Sequence, residues 1–165
     1  MELVQATAEE HWNIASTFLL ETVERCNRNN TPLWTHEQVT TESLKQSYDF
    51  EDLYLLQANN VHVGSVFISF GSDAFWPDED TRNSTFFHKL AIGDKYHSRG
   101  LGHQALKAIQ DLATAKKSEW LRCDCHGDRP RLRAFYERYG FELVDRKERF
   151  NFDVARYQIS LDSHI

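Results

Sequence analysis

The chain has 165 residues, 41% of them hydrophobic and 13% aromatic, so it is long and apolar enough to bury a core without disulfides or bound metal. Its net charge of −6 argues against the basic patch that nucleic-acid binding requires, so no nucleic-acid partner is expected. No apolar run approaches the ~18 residues of a membrane span and no signal-peptide pattern opens the chain, so we expect a cytoplasmic protein without membrane association.

Two helices are predicted first. Thr7 and Glu10 fit a capping box, and apolar residues then recur at helical spacing to about Arg25. Thr35 and Gln38 repeat the box before a second amphipathic stretch. The turn between the two predicted helices contains RNNTPLW.

Three strands are predicted next. The runs LYLLQ and VHVGSVFISF, joined by ANN, predict an antiparallel hairpin. A polar loop, GSDAFWPDEDTRNS, then leads to TFFHKLAI, a run long enough to be a central strand. The two-residue repeat of a strand puts His88 on the same face as Leu90 and Ile92.

The second half alternates helices and strands. A helix is predicted from Leu101 to near Ser118, then the strand WLRCDC, and then a helix with Pro130 in its first turn and Gly140 just after its end. FELV and residues 150–161 complete the sheet, and a change of apolar phase predicts a bulge or break near Ala155.

The predicted element order is ααββ-βαβαββ. This order indicates a mixed α/β (α+β) fold, with a mostly antiparallel sheet flanked by helices and one parallel crossover. No repeat, low-complexity tract or linker divides the sequence, so we expect residues 1–165 to form a single domain.

A glycine-bearing turn separates the third strand from the following helix. Gly100 and Gly102, flanked by Arg99 and His103, leave backbone N–H groups uncovered at a helix N-terminus, which favours binding of an anion. With Ala105, the glycines also fit the dinucleotide pattern G-x-G-x-x-A. However, GDKYHSR separates the strand from the first glycine, and too few residues follow for a doubly wound sheet. No Gly-Lys-Ser/Thr follows, which excludes a P-loop.

The segment His97-Ser98-Arg99-Gly100-Leu101-Gly102 resembles the acetyl-coenzyme A loop of the GCN5-related N-acetyltransferase (GNAT) superfamily, which reads Gln/Arg-x-x-Gly-x-Gly/Ala. LRAFYERYGFELV resembles the superfamily signature Tyr-x-x-x-Gly-Phe, with Tyr136, Gly140 and Phe141 in place, and VHVGSVFI with Gly64 is also similar. Two positions depart from the pattern. His97 stands where Gln or Arg is usual, and Arg129 stands where an Asn commonly precedes the tyrosine.

This resemblance implies a GNAT fold, N-acetyltransferase (acyltransferase) activity and acetyl-coenzyme A as cofactor. The cofactor-binding residues it implies are Leu90, Ala91, Ile92, His97, Ser98, Arg99, Gly100, Leu101, Gly102, His103 and Arg129. Main-chain N–H groups from Arg99 to His103 would hold the pyrophosphate, and one near Ala91 or Ile92 would bind the developing oxyanion. Arg129 would reach a phosphate in place of the usual asparagine contact.

Two residues are candidates for catalysis. By the same resemblance, Tyr136 would protonate the departing thiolate. His88 titrates near neutrality and could accept the amine proton directly or through water. A buried structural histidine, with a water chain in place of the base, is the alternative for His88.

Cys123, Cys125 and His126 could suggest a metal, but the two thiols share one face of a strand and only three local ligands are present, so no metal is expected. The cysteines are interpreted as buried apolar side chains, and their odd total of three fits a reducing compartment. Asp124 then faces the opposite side, toward cofactor or substrate.

The sequence leaves three functions open. The first is acetyl transfer to a primary amine of a small molecule, with Trp34, Tyr48, Asp124 and the acidic loop 73–80 as acceptor candidates. The second is a non-catalytic acyl-coenzyme A sensor, and the third is a protein or peptide N-acetyltransferase. The amine is not identified, and a homodimer is left open.

Overall fold

The computed structural model describes residues 1–161. Its helices are α1 (Glu10–Arg28), α2 (Thr41–Ser47), α3 (Leu101–Ala115) and α4 (Pro130–Tyr139). Its strands are β1 (Glu2–Gln5), β2 (Leu53–Ala58), β3 (Val61–Phe70), β4 (Ser84–Ile92), β5 (Trp120–His126), β6 (Glu142–Arg149) and β7 (Phe152–Ser160). Across residues 1–161, no helix is long and apolar enough to cross a bilayer.

The strands form a seven-stranded sheet in the order β1-β2-β3-β4-β5-β7-β6. β4 and β5 are parallel, whereas β1–β2, β2–β3, β5–β7 and β6–β7 are antiparallel. The predicted fold class, a mixed α/β protein with a mostly antiparallel sheet, is therefore confirmed.

The chain is organised as two compact units. The first comprises residues 1–68 and 89–108, and the second comprises residues 69–88 and the described residues from 109 onward. In the first unit, α1 and α2 pack on a core that includes Trp12, Leu19, Leu44, Phe67 and Ala91. The expectation of a single domain stays a prediction.

The N-terminus differs from the prediction in two ways. A four-residue strand, β1, precedes the helices and pairs with β2 from Glu2↔Gln57 to Gln5↔Tyr54. A four-residue strand is too short to show a hydrophobic repeat of its own. Its register is set by pairing with β2. The prediction that Thr7 and Glu10 form a capping box is wrong. The helix α1 begins at Glu10, and the backbone N–H of Thr7 donates to His11 Nδ1 at 3.0 Å.

The second predicted capping box forms, but it closes a shorter element. Thr35 N–H donates to Gln38 Oε1 at 3.0 Å, and Gln38 N–H donates to Thr35 Oγ1 at 3.2 Å. This box caps a 3₁₀ turn over Glu37–Val39, and α2 then begins anew with Thr40 as its N-cap.

The predicted hairpin is present as β2 and β3. Asn59 and Asn60 connect the strands with φ values of 53° and 63°, as a two-residue type I′ turn requires. β4 contains Lys89 in the left-handed region, with φ of 51°. The prediction that His88 and Leu90 share a face assumed regular alternation of side chains along the strand. The left-handed Lys89 between them interrupts that alternation.

The prediction of a bulge or break near Ala155 of β7 is wrong. β7 pairs with β5 without a register shift from Trp120↔Ser160 to His126↔Val154, and the irregularity lies in β6 between Leu143 and Asp145. The apolar phase misled the prediction because the centre of β7 is buried on both faces, and one of its buried side chains is Arg156.

The ends of α4 follow the sequence closely. Pro130 occupies the first turn, and Gly140 ends the helix with φ of 123°, a conformation that L side chains rarely adopt.

Candidate active site

In the first unit, the glycine loop presents backbone N–H groups at the start of α3. Ser98 and Gly100 both have left-handed backbones, with φ of 65° and 75°, and Gly100 has nothing within 4 Å of its Cβ position. The first intrahelical bond runs from Gln104 N–H to the Gly100 carbonyl at 3.4 Å, so the N–H groups of residues 101–103 precede the helical ladder. These groups and the positive end of the helix dipole suit an anion.

The chain entering this loop is fixed by α1. A Cβ on Gly93 would lie 2.8 Å from a ring carbon of Phe18, so the backbone there packs directly on the helix. Asp94 donates its N–H to Glu21 Oε1 at 2.8 Å, and its carboxylate pairs with Arg25. The loop therefore begins from a rigid support, while Ser98, Arg99 and Gly100 remain exposed.

His97 precedes the loop glycines and is exposed on the surface. Its Nδ1 lies 3.1 Å from Ser98 Oγ. Partial desolvation of the ring by its neighbours and the positive charge of Arg25 lower the pKa of His97, which favours the neutral ring, a hydrogen-bond donor and acceptor.

The end of β4 is packed tightly against β3. A Cβ on Gly64 would lie 2.2 Å from the Ala91 carbonyl oxygen, so a side chain has no room at this position. Leu90 and Ile92 pack against a cluster that includes Leu56 and Ala105. The three predicted strand residues are therefore held in place by β2, β3 and α3.

Trp34 lies in a small group of aromatic residues around Lys89. Lys89 Nζ donates to Tyr48 OH at 3.1 Å and lies 5.9 Å from the Trp34 ring centroid. Tyr48 in turn stacks on Phe67 with centroids 4.1 Å apart. This group therefore brings a cation, a phenol and an indole ring together.

In the second unit, two carboxylates flank the predicted base, and we call Asp73, His88 and Asp124 the carboxylate–imidazole cluster. Asp73 Oδ2 lies 3.1 Å from His88 Nε2, and Asp124 Oδ2 lies 4.0 Å from His88 Nδ1. The side chains of Asp73, His88 and Asp124 are 5%, 16% and 11% exposed. The structure thus brings Asp124, a predicted substrate residue, together with His88, the predicted base.

The loop that carries Asp73 is clamped onto the sheet by arginines. Arg149 Nη2 donates to the Ala74 carbonyl at 2.9 Å, and Arg156 Nη1 donates to the Phe75 carbonyl at 3.2 Å. Trp76 is only 1% exposed, and its ring centroid lies 4.6 Å from Cζ of the Arg156 guanidinium. The two residues that follow Asp73 are therefore anchored through their carbonyls, which positions the Asp73 carboxylate before any ligand arrives.

Tyr136 is buried on α4 beside Phe87, with ring centroids 6.2 Å apart. Burial raises the pKa of the Tyr136 phenol well above its ordinary value, so the hydroxyl keeps its proton at neutral pH. Burial likewise raises the pKa of Cys125 to about 12 and that of Cys123 well above its usual range. Both cysteines are buried free thiols, as the sequence indicated, and neither is a thiolate nucleophile at neutral pH.

The two candidate catalytic side chains lie next to the point where β4 and β5 part. Within the second unit, the last pair of the parallel ladder is Phe86 with Arg122, although both strands continue. Phe87 contacts Tyr136, and the next residue, His88, contacts Asp73. His88 therefore follows directly, along β4, the residue that contacts Tyr136.

Two further predicted residues take separate partners. Arg129 Nη1 pairs with the Asp128 carboxylate at 2.9 Å and is partly buried. The His126 ring stacks on Phe152 with centroids 4.6 Å apart, and burial lowers its pKa. Within residues 1–161, the group of potential metal ligands that meets in space is the carboxylate–imidazole cluster, not the cysteines with His126.

The sequence pointed to the acidic loop but did not single out Asp73. Asp78 is bound by Arg156 and Lys147, and Asp80 is bound by Arg82, so these carboxylates stabilise the loop. Only knowledge of those ion pairs separates Asp73 from its acidic neighbours, and the sequence carries no local signal for them.

Comparison with known proteins gives one consistent family. The family model described as "Acetyltransferase (GNAT) family" matches residues 7–141. The uncharacterized N-acetyltransferase YesJ of Bacillus subtilis (strain 168) is 29% identical over 69 residues, which cover 42% of this chain. The matched stretch spans only 38% of the length of that curated relative.

Two solved structures show the same fold. A GNAT-family acetyltransferase from Listeria monocytogenes 4b F2365 superposes with a TM-score of 0.74 at 15% identity, covering 96% of this chain and 94% of that one. The aminoglycoside acetyltransferase AAC(6')-Ib, in complex with coenzyme A and kanamycin, has a TM-score of 0.73 at 17% identity, covering 97% and 94%.

Proposed function

This chain belongs to the GNAT acetyltransferase family, and from that premise we propose that it is an acetyl-coenzyme A-dependent N-acetyltransferase acting on a primary amine of a small molecule. We propose further that the whole chain works as one domain, in the cytoplasm. The observation that carries the proposal is that His88 and Phe87, which contacts Tyr136, lie just beyond the last parallel pair of β4 and β5. An acyl transfer needs a proton acceptor for the incoming amine and a proton donor for the leaving thiolate.

Acetyl-coenzyme A is the cofactor, and it supplies the activated acetyl group as a thioester. Residues 97–103 fit its pyrophosphate, because the left-handed Ser98 and Gly100 and the start of α3 present main-chain N–H groups without side chains in front of Gly100. Arg99, His97 and His103 lie beside these groups, and the strand residues Leu90, Ala91 and Ile92 would line the pantetheine arm. The Ala91 or Ile92 N–H would stabilise the oxyanion.

The chain's own groups account for the protons. The amine arrives as an ammonium, and His88 accepts one proton so that the nitrogen lone pair becomes available. The nitrogen would form a bond to the acetyl carbon as the carbon–sulfur bond breaks. Tyr136 would donate its proton to the departing thiolate and regain one from the nitrogen, while the proton held by His88 passes to solvent. The balance is an ammonium and a thioester giving an amide, a thiol and one proton to solvent.

Transfer is direct from thioester to amine. Cys123 and Cys125 are buried thiols on β5, and their raised pKa values keep them protonated at neutral pH. Neither is therefore suited to carry an acetyl group between cofactor and acceptor.

The test compares Tyr136→Phe with Tyr139→Phe on the same helix. We expect Tyr136→Phe to lower kcat by about 10²-fold, with acetyl-coenzyme A affinity unchanged, because general acid help typically supplies this much or more. Tyr139 hydrogen-bonds Gln110, and its loss should leave kcat within about twofold. Free-thiol release on a panel of amines gives kcat, and isothermal titration gives the affinity.

Two results would contradict the proposal. Absence of acetyl-coenzyme A binding by the folded protein would remove it altogether. Cofactor binding without turnover on polyamines, amino acids, aminoglycosides and arylalkylamines would favour an acyl-coenzyme A sensor. Turnover only on peptides or proteins would instead point to a protein acetyltransferase.

A further inference from the structure

A small surface pocket lies beside the start of β5, within the second unit, and we call it the β5 pocket. The residues that line it are Glu79, Asp80, Asn83, Glu119, Trp120 and Arg122. Its volume of about 260 Å³ is slightly below the roughly 300–1,000 Å³ of pockets for drug-sized ligands, so it suits a small molecule. Trp120 pairs with Ser84 at the first step of the β4–β5 ladder, whereas His88 lies beyond the last pair. The β5 pocket is therefore distinct from the candidate catalytic residues.

One lining residue, Arg122, is a buried cation without a carboxylate partner. Arg122 is 5% exposed. Its Nε donates to Gln158 Oε1 at 3.0 Å, and its Nη1 donates to the Asp80 carbonyl at 3.1 Å and to Ser84 Oγ at 2.9 Å. These three acceptors are neutral, and Arg122 forms no ion pair with any residue between 1 and 161. Burial lowers the pKa of the guanidinium even though the Glu79 carboxylate acts in the opposite direction.

The same guanidinium has one nitrogen left for a ligand. Nη2 of Arg122 donates to no residue between 1 and 161, although a guanidinium carries five N–H donors in a fixed fork. The ring centroids of Trp76 and Trp120 lie 4.8 Å and 5.3 Å from its Cζ, so packing fixes its orientation before a ligand arrives. A buried charge with unused donors is costly, and a ligand carboxylate would supply both the opposite charge and the acceptors.

The β5 pocket also contains three carboxylates, one of which is neutralised by a neighbouring arginine. Arg82 donates to both oxygens of Asp80, at 3.0 Å and 2.7 Å. Glu79 and Glu119 are exposed and form no ion pair within residues 1–161. Together with Arg122, the charges left in the pocket are two negative and one positive. A ligand that complements them carries one carboxylate and two ammonium groups.

We propose that the β5 pocket binds a free basic α-amino acid of the lysine type, as a ligand site additional to the acetyl-transfer site. The α-carboxylate accepts from Arg122 Nη2, and the two ammonium groups donate to Glu79 and Glu119. The aliphatic stem between the charges packs on the Trp120 ring. The ligand is bound without any bond being made or broken.

The experiment compares L-lysine with three analogues that each lack one charged group. Cadaverine lacks the carboxylate, norleucine lacks the side-chain ammonium, and 6-aminohexanoate lacks the α-ammonium. Each compound is titrated into the folded protein by isothermal calorimetry in the presence of coenzyme A. We expect lysine to bind at least about 10-fold more tightly than cadaverine, because cadaverine leaves the buried cation unpaired. The advantage over norleucine and 6-aminohexanoate should be about 3- to 5-fold, because exposed ion pairs contribute less.

Variants test the two sides of the β5 pocket separately. Glu79→Gln and Glu119→Gln should each weaken lysine binding about 3- to 5-fold. The matched control Glu142→Gln removes an exposed carboxylate at the start of β6 and should leave the affinity unchanged. Arg122→Gln should weaken lysine at least about 10-fold, and its melting curve is recorded alongside. The two glutamate variants decide the matter if Arg122→Gln does not fold.

A spectroscopic readout locates the ligand independently of affinity. The indole N–H resonance of Trp120 should shift on addition of lysine and saturate with the calorimetric affinity. The resonance of Trp12, which is buried in the core of the first unit, should not move. Asp73→Asn alters the carboxylate–imidazole cluster and should leave the lysine affinity unchanged.

Four results would overturn the inference. The first is no binding of lysine at millimolar concentration, and the second is equal binding of lysine and cadaverine. The third is an unchanged lysine affinity in both glutamate variants. The fourth is loss of lysine binding in Asp73→Asn with no shift of Trp120, which would place lysine at the candidate catalytic residues instead.

Discussion

Gly64 is the position where a single methyl group should reveal how β3 supports the end of β4. A Cβ at this residue would lie 2.2 Å from the Ala91 carbonyl oxygen, and real Cβ contacts almost never fall below 3.0 Å. Gly64→Ala therefore forces the backbone of the two strands apart by roughly 0.8 Å, the difference between those two distances. The obstacle is main chain, so a side-chain rotation cannot relieve it.

The displacement should be measurable in stability and in activity. Overpacking of this kind costs about 1–3 kcal/mol, which lowers the Tm of a chain of this size by roughly 2–12 °C. If the Ala91 or Ile92 N–H holds the oxyanion, a shift approaching 1 Å should lower kcat by about 10- to 100-fold.

The assays are differential scanning calorimetry and thiol release under saturating acetyl-coenzyme A. Ser65→Ala is the matched control, because this neighbouring hydroxyl is fully buried and its Oγ has no hydrogen-bond partner within residues 1–161. Removing it should leave the Tm unchanged or raise it. A Gly64→Ala variant with normal Tm and normal kcat would refute the close contact between the strands.

Three other predictions concern stability. Asp145→Asn removes one of two carboxylates that bind the buried Arg156, so the free energy of unfolding from urea titration should fall by about 1–2 kcal/mol; an unchanged value would show that the ion pair does not stabilise the fold. Hydrogen bonds from Arg156 lower the pKa values of Asp78 and Asp145 in the folded state. The two carboxylates therefore stabilise the fold above their unfolded pKa of about 3.9, and this stabilisation is lost as the pH falls through the lower folded pKa values. Urea titrations from pH 5 to pH 2 should show this decline, and the decline should be smaller in Asp145→Asn. Gly140→Ala forces a side chain into φ of 123° and should cost about 1–2 kcal/mol, whereas an unchanged Tm would show that the helix end relaxes freely.

Much of the fold was determined by local patterns in the sequence. The hairpin follows from Asn59 and Asn60, which tolerate positive φ, and α4 follows from Pro130 at its start and Gly140 at its end. The glycine loop is equally local, because its conformation depends on Gly100 and on the helix that begins one residue later. Such features depend on residues a few positions apart, so a sequence contains all the information needed to predict them.

Local signals failed where distant partners decided the outcome. β1 exists because β2 pairs with it, and the apolar phase of β7 is obscured because Arg156 is buried among Trp76, Asp78 and Asp145. The irregularity that the phase suggested lies in the neighbouring strand instead.

The carboxylate–imidazole cluster shows the same division. The sequence by itself determined that His88 and Asp124 lie on strands and that the loop after β3 is acidic. Only the tertiary structure decided that Asp73, rather than Asp78 or Asp80, meets His88. The physical reason is that Arg149 and Arg156 bind loop carbonyls 75 and 81 positions away, and a contact at that separation is made by the folded sheet, not by any pattern within the loop.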